Sequence, residues 1–271
     1  MRSSLSGNAS KKSFDLFSFC KRTVSSRGFL PILLIVYIIF LTYGPGGPLT
    51  QPTSARTGTS FEPEVMPGGA LYDRLVVVAC HAVVRVSELP NAKFSDGAWY
   101  LLDYQKNQGF PAIITSHIQT GLDELAQDSS ALLIFSGGET RGDVGPMSEA
   151  ASYYYAAETL HGGNSAIKSR IFLEEYARDS FENLLFAICR FKEVSGHYPR
   201  HVTVVGFDFK AERFSTLHRS AIGYPLHAFD YKGLRAPAPF DQQHAVEGER
   251  TARASFDTDL YGCRGNLRTK R

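Results

Sequence analysis

A polar loop in the middle of the chain carries residue types suited to holding an anion. It consists of Ser136, Gly137, Gly138, Glu139, Thr140 and Arg141. Because the two glycines directly follow an apolar run, a ligand could approach their backbone N–H groups closely. Arg141 could form a fork on a phosphate or carboxylate group, and Glu139 is a candidate general base. The competing interpretation is an ordinary strand-to-helix turn, and the spacing matches neither a Walker A motif nor G-x-G-x-x-G.

A second polar cluster spans Glu174–Asn183, where a strand is predicted to give way to a helix. Asp179 and Glu182 have the spacing of a helix N-cap and its reciprocal partner, which is the pattern of a capping box. Glu175 and Asn183 are not needed for that cap. They are therefore the candidates for holding a ribose, a sugar hydroxyl or a divalent ion.

Three more polar residues follow predicted strands. His81 comes just after the first strand, where it could act as a general base, although a structural histidine is the competing interpretation. Lys210 and Arg213 follow the fourth strand, so both could contact one anionic group. The alternative for this pair is the solvated start of a surface helix.

Other patterns in the chain favour or exclude particular chemistries. Asp257-Thr258-Asp259 matches the D-x-D pattern of metal-dependent glycosyltransferases, although so short a pattern is common by chance. The four cysteines include no C-x-x-C pair, which argues against a structural zinc site and a thioredoxin-type redox motif. We therefore assign no metal ligands and leave the cofactor open.

Alternating strands and helices position these residues. Strands are predicted at Arg74–Cys80, Ala131–Phe135, Ile171–Leu173, Val202–Val205 and Leu226–Phe229. Helices are predicted from Asp96 to Gly109, Pro111 to Gln127, Ser148 to Gly162, Asp179 to Gly196 and Ala211 to Ile222. This order predicts an α/β fold, a Rossmann-like three-layer domain with a mainly parallel sheet. Ligands bind such sheets beyond the carboxyl ends of the strands, where the polar residues above are expected to lie.

The ends of the chain differ from this central domain. Residues 1–27 hold six Lys or Arg against one acid, and the whole chain carries only +2. The remainder is thus net negative, and we expect no nucleic-acid partner. Residues 231–271 are polar and predicted to be irregular, which leaves residues 70–230 as the Rossmann-like domain.

An apolar segment at residues 28–43 predicts a membrane anchor. As a helix, its run Phe29–Tyr43 would extend roughly 22 Å, which suits a thin bilayer of the early secretory pathway. The basic flank lies on its N-terminal side, so the domain is expected in the lumen of the Golgi or ER, after a flexible stem at residues 44–69. A cleaved signal peptide and a mitochondrial targeting segment, which would place the protein in a mitochondrial membrane, are the alternatives.

Taken in order, these motifs resemble the domain-of-unknown-function family that includes the bacterial YdcF, SanA and ElyC proteins, in a fungal-type version. The pieces that carry the resemblance are Ser136-Gly137-Gly138, Ser148-Glu149-Ala150, Glu175 through Asn183 and Phe209 through Arg213. The resemblance implies a Rossmann-like sheet with a polar cleft, frequent N-terminal membrane anchoring and roles in envelope biogenesis. S-adenosylmethionine binding has been suggested within the family, without an established reaction. Lys210 stands where bacterial members carry a histidine, so acid–base chemistry at that position is not carried over.

The sequence therefore predicts a membrane-anchored protein that binds a small anionic ligand bearing a phosphate or a nucleotide. His81 and Glu139 are the predicted catalytic residues. The predicted ligand contacts are Ser136, Gly137, Gly138, Arg141, Glu175, Asn183, Lys210 and Arg213. The reaction class would be transfer or hydrolysis in glycan or lipid-linked precursor metabolism. A non-catalytic membrane scaffold or sensor and a D-x-D glycosyltransferase are the alternatives.

Overall fold

The structure, a computed structural model, describes residues 72–161 and 165–271. The basic tail at 1–27, the anchor predicted at 28–43 and the stem at 44–69 lie outside the described residues. Among the helices that are described, none is both long and apolar enough to cross a membrane.

The described residues form an α/β domain built on a five-stranded sheet. Its strands, together with two short strands that pair separately, are β1 (Arg74–Ala79), β2 (Val83–Val84), β3 (Trp99–Tyr100), β4 (Ala131–Ser136), β5 (Ile171–Glu174), β6 (His201–Phe207) and β7 (Phe229–Leu234). The strand order is β5-β4-β1-β6-β7, and each neighbouring pair is parallel. The predicted α/β fold with a parallel sheet is thereby confirmed.

Helices cover the sheet on both faces. They are α1 (Phe110–Gln127), α2 (Glu149–His161), α3 (Ser165–Lys168), α4 (Ser180–Ser195), α5 (Arg219–Ala221), α6 (Gln242–Thr258) and α7 (Gly265–Lys270). Residues 208–221 are continuously helical and contain a π-helical turn, and we call them the 208–221 helix. Helices α1 and α2 contact each other, whereas α4 contacts the 208–221 helix. Because the chain moves from β1 to β4 and β5, then returns to β6 and β7, the topological switch point lies between β1 and β6.

The start of α4 shows how the local sequence encodes a helix boundary. The Asp179 side chain accepts hydrogen bonds from the N–H groups of Phe181 and Glu182, and Gly196 ends the helix with a φ of 83°. The predicted N-cap is confirmed. The reciprocal bond differs from a standard capping box, because the Glu182 carboxylate accepts from the N–H of Arg178 instead of Asp179.

The helix predicted from Asp96 to Gly109 is wrong. Residues 99 and 100 form β3, which pairs with β2 in an antiparallel two-stranded sheet. The Trp99 ring is buried, and its Nε1 donates to the carbonyl oxygen of Ala92 at 2.8 Å. Gly97, which has a low helix propensity, and Asn107, which has a φ of 60°, also disfavour a helix here. Burial of one tryptophan and local strand pairing therefore override the helical pattern.

The C-terminal part of the chain also differs from the prediction. The last strand is β7, which begins at Phe229 and ends at Leu234, so residues 231–234 belong to the sheet. Residues beyond the sheet are not irregular, because they form α6 and α7. Helix α6 packs on the 208–221 helix. The sequence did not predict this contact, because residues 242–258 are mostly polar.

Candidate functional site

The candidate site lies at the switch point, where β1 and β6 run side by side and end together. His81 follows the end of β1, and Lys210 lies in the first turn after β6. The structure thereby brings together two residues that are far apart in the sequence. The aromatic rings of Phe207, Phe209 and Phe240 stack beside them, with centroids 5.0–6.1 Å apart.

Lys210 is partly buried among these rings. Its Nζ atom lies 5.3 Å from the ring centroid of Phe207 and 6.0 Å from that of Phe209. Among residues 72–161 and 165–271, no carboxylate lies within ion-pair distance of it. Burial, and then the positive charge of Arg213, lower the pKa of Lys210 to about 7. Near neutral pH the amine is therefore only partly protonated, and its protonated form has no counterion among the described residues.

Two imidazole rings lie next to this lysine. The ring centroids of His81 and His117 are 5.7 Å apart, and each ring also packs against Phe207. Burial lowers the pKa of both, to about 3 for His117, and the charge of Lys210 acts in the same direction. Nε2 of His81 and both ring nitrogens of His117 have no hydrogen-bond partner in the described part of the chain. Both imidazoles are thus neutral at pH 7, with unused hydrogen-bonding capacity.

Glu149 contributes a buried carboxyl group from the first turn of α2. It is 7% exposed and accepts a hydrogen bond of 2.5 Å from the Thr140 hydroxyl. Burial raises the pKa of Glu149, while Thr140, Arg141 and Lys210 oppose the rise. A carboxyl group in this setting can exchange a proton closer to neutral pH than an exposed one can.

The two glycines of the polar loop serve packing. The N–H of Gly137 donates to the carbonyl oxygen of Glu174 at 3.0 Å, and that of Gly138 donates to Ala177 at 2.7 Å. Both N–H groups are therefore used within the fold in this structure. A Cβ atom on Gly138 would lie 2.8 Å from the carbonyl oxygen of Ala177, which explains the need for glycine.

Replacing Gly138 with alanine is expected to destabilise the domain by about 1–3 kcal/mol, because the added Cβ meets backbone atoms that cannot rotate away. Gly142 in the same loop is the matched control, because a Cβ there has no described atom within 4 Å. Chemical denaturation of both variants would measure the difference. Equal stability for the two would contradict the packing role of Gly138.

Ser136 and Asn183 also belong to a structural network. The Ser136 hydroxyl is fully buried, 2.5 Å from a Glu174 carboxylate oxygen and 3.2 Å from the Asn183 carbonyl oxygen. Glu174 also accepts from the N–H groups of Tyr176 and Ala177, and burial raises its pKa to about 6. These bonds tie β4 to β5 and to α4. They position the edge of the sheet without presenting the serine to a ligand.

The other predicted residues lie on the rim of the site. Arg141 donates to the His81 carbonyl oxygen at 3.2 Å, so the polar loop is joined to the end of β1. Glu175 is exposed and accepts from the Ser148 hydroxyl at 2.7 Å. Glu139 is exposed at the tip of the loop, whereas Glu149 is buried.

Arg213 is not free to bind a ligand in this structure. Its guanidinium forms two hydrogen bonds with the Glu249 carboxylate of α6, at 2.7 and 2.6 Å. The C-terminal segment, which carried no predicted structure, supplies this partner. Arg213 was expected to contact an anionic ligand. In this structure its anionic partner is the Glu249 carboxylate of the same chain.

The D-x-D pattern lies at the end of α6. Asp259 accepts a hydrogen bond from the N–H of Arg264 at 2.7 Å, and Asp257 is exposed on the preceding turn. Within residues 72–161 and 165–271, no group of three His, Cys, Asp or Glu side chains is placed to hold a metal ion.

Glu149 and His117 were not predicted as site residues, although the sequence holds a signal for each. Glu149 starts the helix after the polar loop, so its first turn must lie at the carboxyl edge of the sheet. His117 is three residues after Ile114 and four before Gly121, which places a polar ring on the buried stripe of α1. A histidine on the buried face of a helix is uncommon, so this position could have been recognised as a candidate site residue.

Comparisons with known proteins place the chain near one other sequence. The uncharacterized protein YOR238W of Saccharomyces cerevisiae is 27% identical over 253 residues, covering 73% of this chain and 82% of the yeast protein. No protein-family profile matches the chain, and no solved structure is detectably similar to it. The yeast protein's name assigns no activity, so the functional argument depends on the site itself.

Proposed function

We propose that this protein binds a phosphate-bearing small molecule at the switch point of its sheet. The observation that carries the proposal is the Lys210 ammonium group, which is partly buried and has no ion-pair partner in the described part of the chain. A cation held in this way is stabilised by an incoming anion. Arg141, on the loop that reaches the end of β1, would supply a second positive charge.

Proton transfer is the chemistry that the surrounding groups support. His81 is neutral and has an unpartnered Nε2, and Glu149 has a raised pKa. One can accept and the other donate a proton when an ester bond to phosphorus is formed or cleaved. We propose transfer or hydrolysis as the reaction class, on the glycan or lipid-linked precursors that the predicted membrane anchor at residues 28–43 suggests.

Thermal denaturation of the purified full chain with a ligand panel tests the binding proposal. The panel holds nucleotides, nucleotide sugars, S-adenosylmethionine and isoprenoid phosphates, each with and without Mg²⁺ or Mn²⁺. A ligand that binds the native state raises Tm. Lys210→Met is expected to weaken that binding about tenfold or more. Lys106→Met, which removes an exposed lysine paired with Asp103, is the matched control, and equal losses in both variants would refute the assignment.

Anion affinity is expected to fall as pH rises through about 7. Only protonated Lys210 attracts an anion, and its pKa of about 7 predicts roughly tenfold weaker sulfate binding at pH 8 than at pH 6. Sulfate keeps its charge over this range, and His81 and His117 stay neutral because their pKa values are lowered. Lys210→Arg should remove the pH dependence, since a guanidinium remains charged. An unchanged pH profile in that variant, or no binding of sulfate at any pH, would contradict the role of Lys210.

A non-catalytic scaffold is the second candidate, and the hydrogen bonds of the polar loop favour it. The N–H groups of Gly137 and Gly138 and the hydroxyl of Ser136 are all used within the fold. On this alternative, Lys210→Met would change no ligand response, and a panel without any stabilising ligand would direct the search to protein partners.

A further inference from the structure

A second cluster of buried polar groups lies beneath α6, next to the 208–221 helix. The side chains of Arg213 and Glu249 are only 7% and 9% exposed, and their two hydrogen bonds are parallel contacts between a guanidinium and a carboxylate. The remaining nitrogen of the guanidinium donates to the Ser180 hydroxyl at 2.5 Å. This is the geometry with which arginine recognises carboxylate and phosphate groups.

Two further groups complete this cluster. The Ser180 hydroxyl also lies 2.8 Å from Nε2 of His218, which is fully buried. Nδ1 of His218 has no hydrogen-bond partner in the described residues. Burial, and then the charges of Arg213 and Arg271, lower the pKa of this histidine, so the ring is neutral. Apart from the Glu249 carboxylate, the cluster thus contains the Arg213 guanidinium, one hydroxyl and one ring nitrogen without a described partner.

The helix that covers this cluster is held by few apolar contacts. Of the 17 residues of α6, all of them in the described part of the chain, only Phe256 is buried. Its ring packs on His218, with centroids 4.6 Å apart. The other attachments are polar, and they include the ion pair between Arg253 and Glu212 and the 3.2 Å hydrogen bond from Gln242 to Asp208. Elements with little buried apolar area open at low free energy.

We propose that Arg213, Ser180 and His218 form a phosphate-binding site, which is occupied in this structure by the chain's own Glu249 carboxylate. Glu249 competes with the external anion, and α6 is released when that anion binds. Arg213 lies three residues after Lys210, and its charge lowers the pKa of that lysine, so the two sites are neighbours. The proposal does not depend on the ligand assigned to Lys210. Its ligand class is a phosphate group, because the guanidinium fork matches two of its oxygen atoms, and the Ser180 hydroxyl can donate to a third when Nε2 of His218 carries the ring proton.

Inorganic phosphate is the probe for this site in the purified full chain. Glu249→Gln removes the competing charge with little change in shape, and it is expected to bind phosphate about tenfold more tightly than the unmodified protein. Glu247→Gln is the matched control, since Glu247 lies on the same helix and pairs with the exposed Arg250. It should leave phosphate binding unchanged. The double variant Arg213→Gln/Glu249→Gln should not respond to phosphate.

Hydrogen exchange supplies an independent readout that needs no variant. Saturating phosphate should accelerate exchange of the amides in residues 242–258 while leaving those of α1 unchanged. A folded Glu249→Gln variant with equal or weaker phosphate binding would overturn the proposal, and so would unaltered exchange in α6 of the unmodified protein. Adding Lys210→Met should preserve the phosphate gain of Glu249→Gln. Loss of the gain would show that no separate site exists.

Discussion

Replacing Arg213 with methionine is expected to lower the free energy of unfolding by at most about 3–5 kcal/mol, because the Glu249 carboxylate loses its buried counterion unless α6 opens and carries it into water. Both side chains of this pair are less than a tenth exposed, at 7% and 9%. Urea denaturation of the full chain would measure the loss. Hydrogen exchange would then locate it, with faster exchange expected first in α6.

A second ion pair between the same two helices provides the control. Arg253 and Glu212 are 39% and 60% exposed, and exposed pairs contribute only about 0–1 kcal/mol. Arg253→Met should therefore cost little. The double variant Arg213→Met/Glu249→Met should recover most of the stability lost by Arg213→Met, because it leaves no buried charge. A small cost for Arg213→Met, comparable to that of Arg253→Met, would mean that α6 detaches readily and takes Glu249 into water.

Replacing His117 with leucine is expected to stabilise the domain, and more so in acid. The pKa of His117 is lowered to about 3 in the folded state, against about 6.5 in an unfolded chain. Between these values only the unfolded state binds the proton, so stability falls as pH drops below about 6.5, by roughly 1.4 kcal/mol per pH unit. The leucine variant should therefore gain roughly 2 kcal/mol relative to the unmodified protein between pH 6.5 and pH 5.

Comparing the pH dependence of stability of His117→Leu with that of the unmodified protein separates the effect of His117 from that of the other groups that titrate. His81 and His218 have lowered pKa values and act in the same direction, whereas Glu149 and Glu174 have raised pKa values and act in the opposite direction. All of these remain in both proteins. Leucine also removes two ring nitrogens that lack described partners, which is worth about 1–3 kcal/mol at any pH.

The exposed His227 is the control for this experiment, and His227→Leu should leave the difference in stability between the two pH values as it is. A parallel acid loss in His117→Leu and the unmodified protein would refute the lowered pKa of His117. The same variant also tests the candidate site. If the imidazole supports the cleft, ligand binding should weaken in a protein that has become more stable.

The fold class was predictable because buried strands and amphipathic helices each have a characteristic pattern of apolar residues in the local sequence. The residues of β1 and β4 are buried on both sides, so each reads as an unbroken apolar run. The repeating buried positions of α1, among them Ile114, Ile118 and Leu125, predicted a helix against the sheet. Asp179 and Gly196 marked the ends of α4, since capping depends on a few neighbouring residues.

The placement of the candidate site was also predictable, but the roles of its residues were not. The carboxyl-edge rule places His81 and Lys210 together as soon as the strand order is known. Whether the N–H groups of Gly137 and Gly138 are available depends on Glu174 and Ala177, which come from another loop. No local pattern records such a bond, so the glycines were predicted as ligand contacts.

What the sequence by itself determined is the parallel α/β domain, the edge of the sheet at which its polar residues gather, and the excess of basic residues before residue 28. What only the tertiary structure decided is which charges remain unpaired there. Arg213 meets Glu249 of α6, a helix in which only Phe256 is buried. Lys210 meets no such partner among the described residues. The physical reason is that helices and strands form from neighbours in the chain, whereas the balance of charge in a cleft is set by distant residues that share one space.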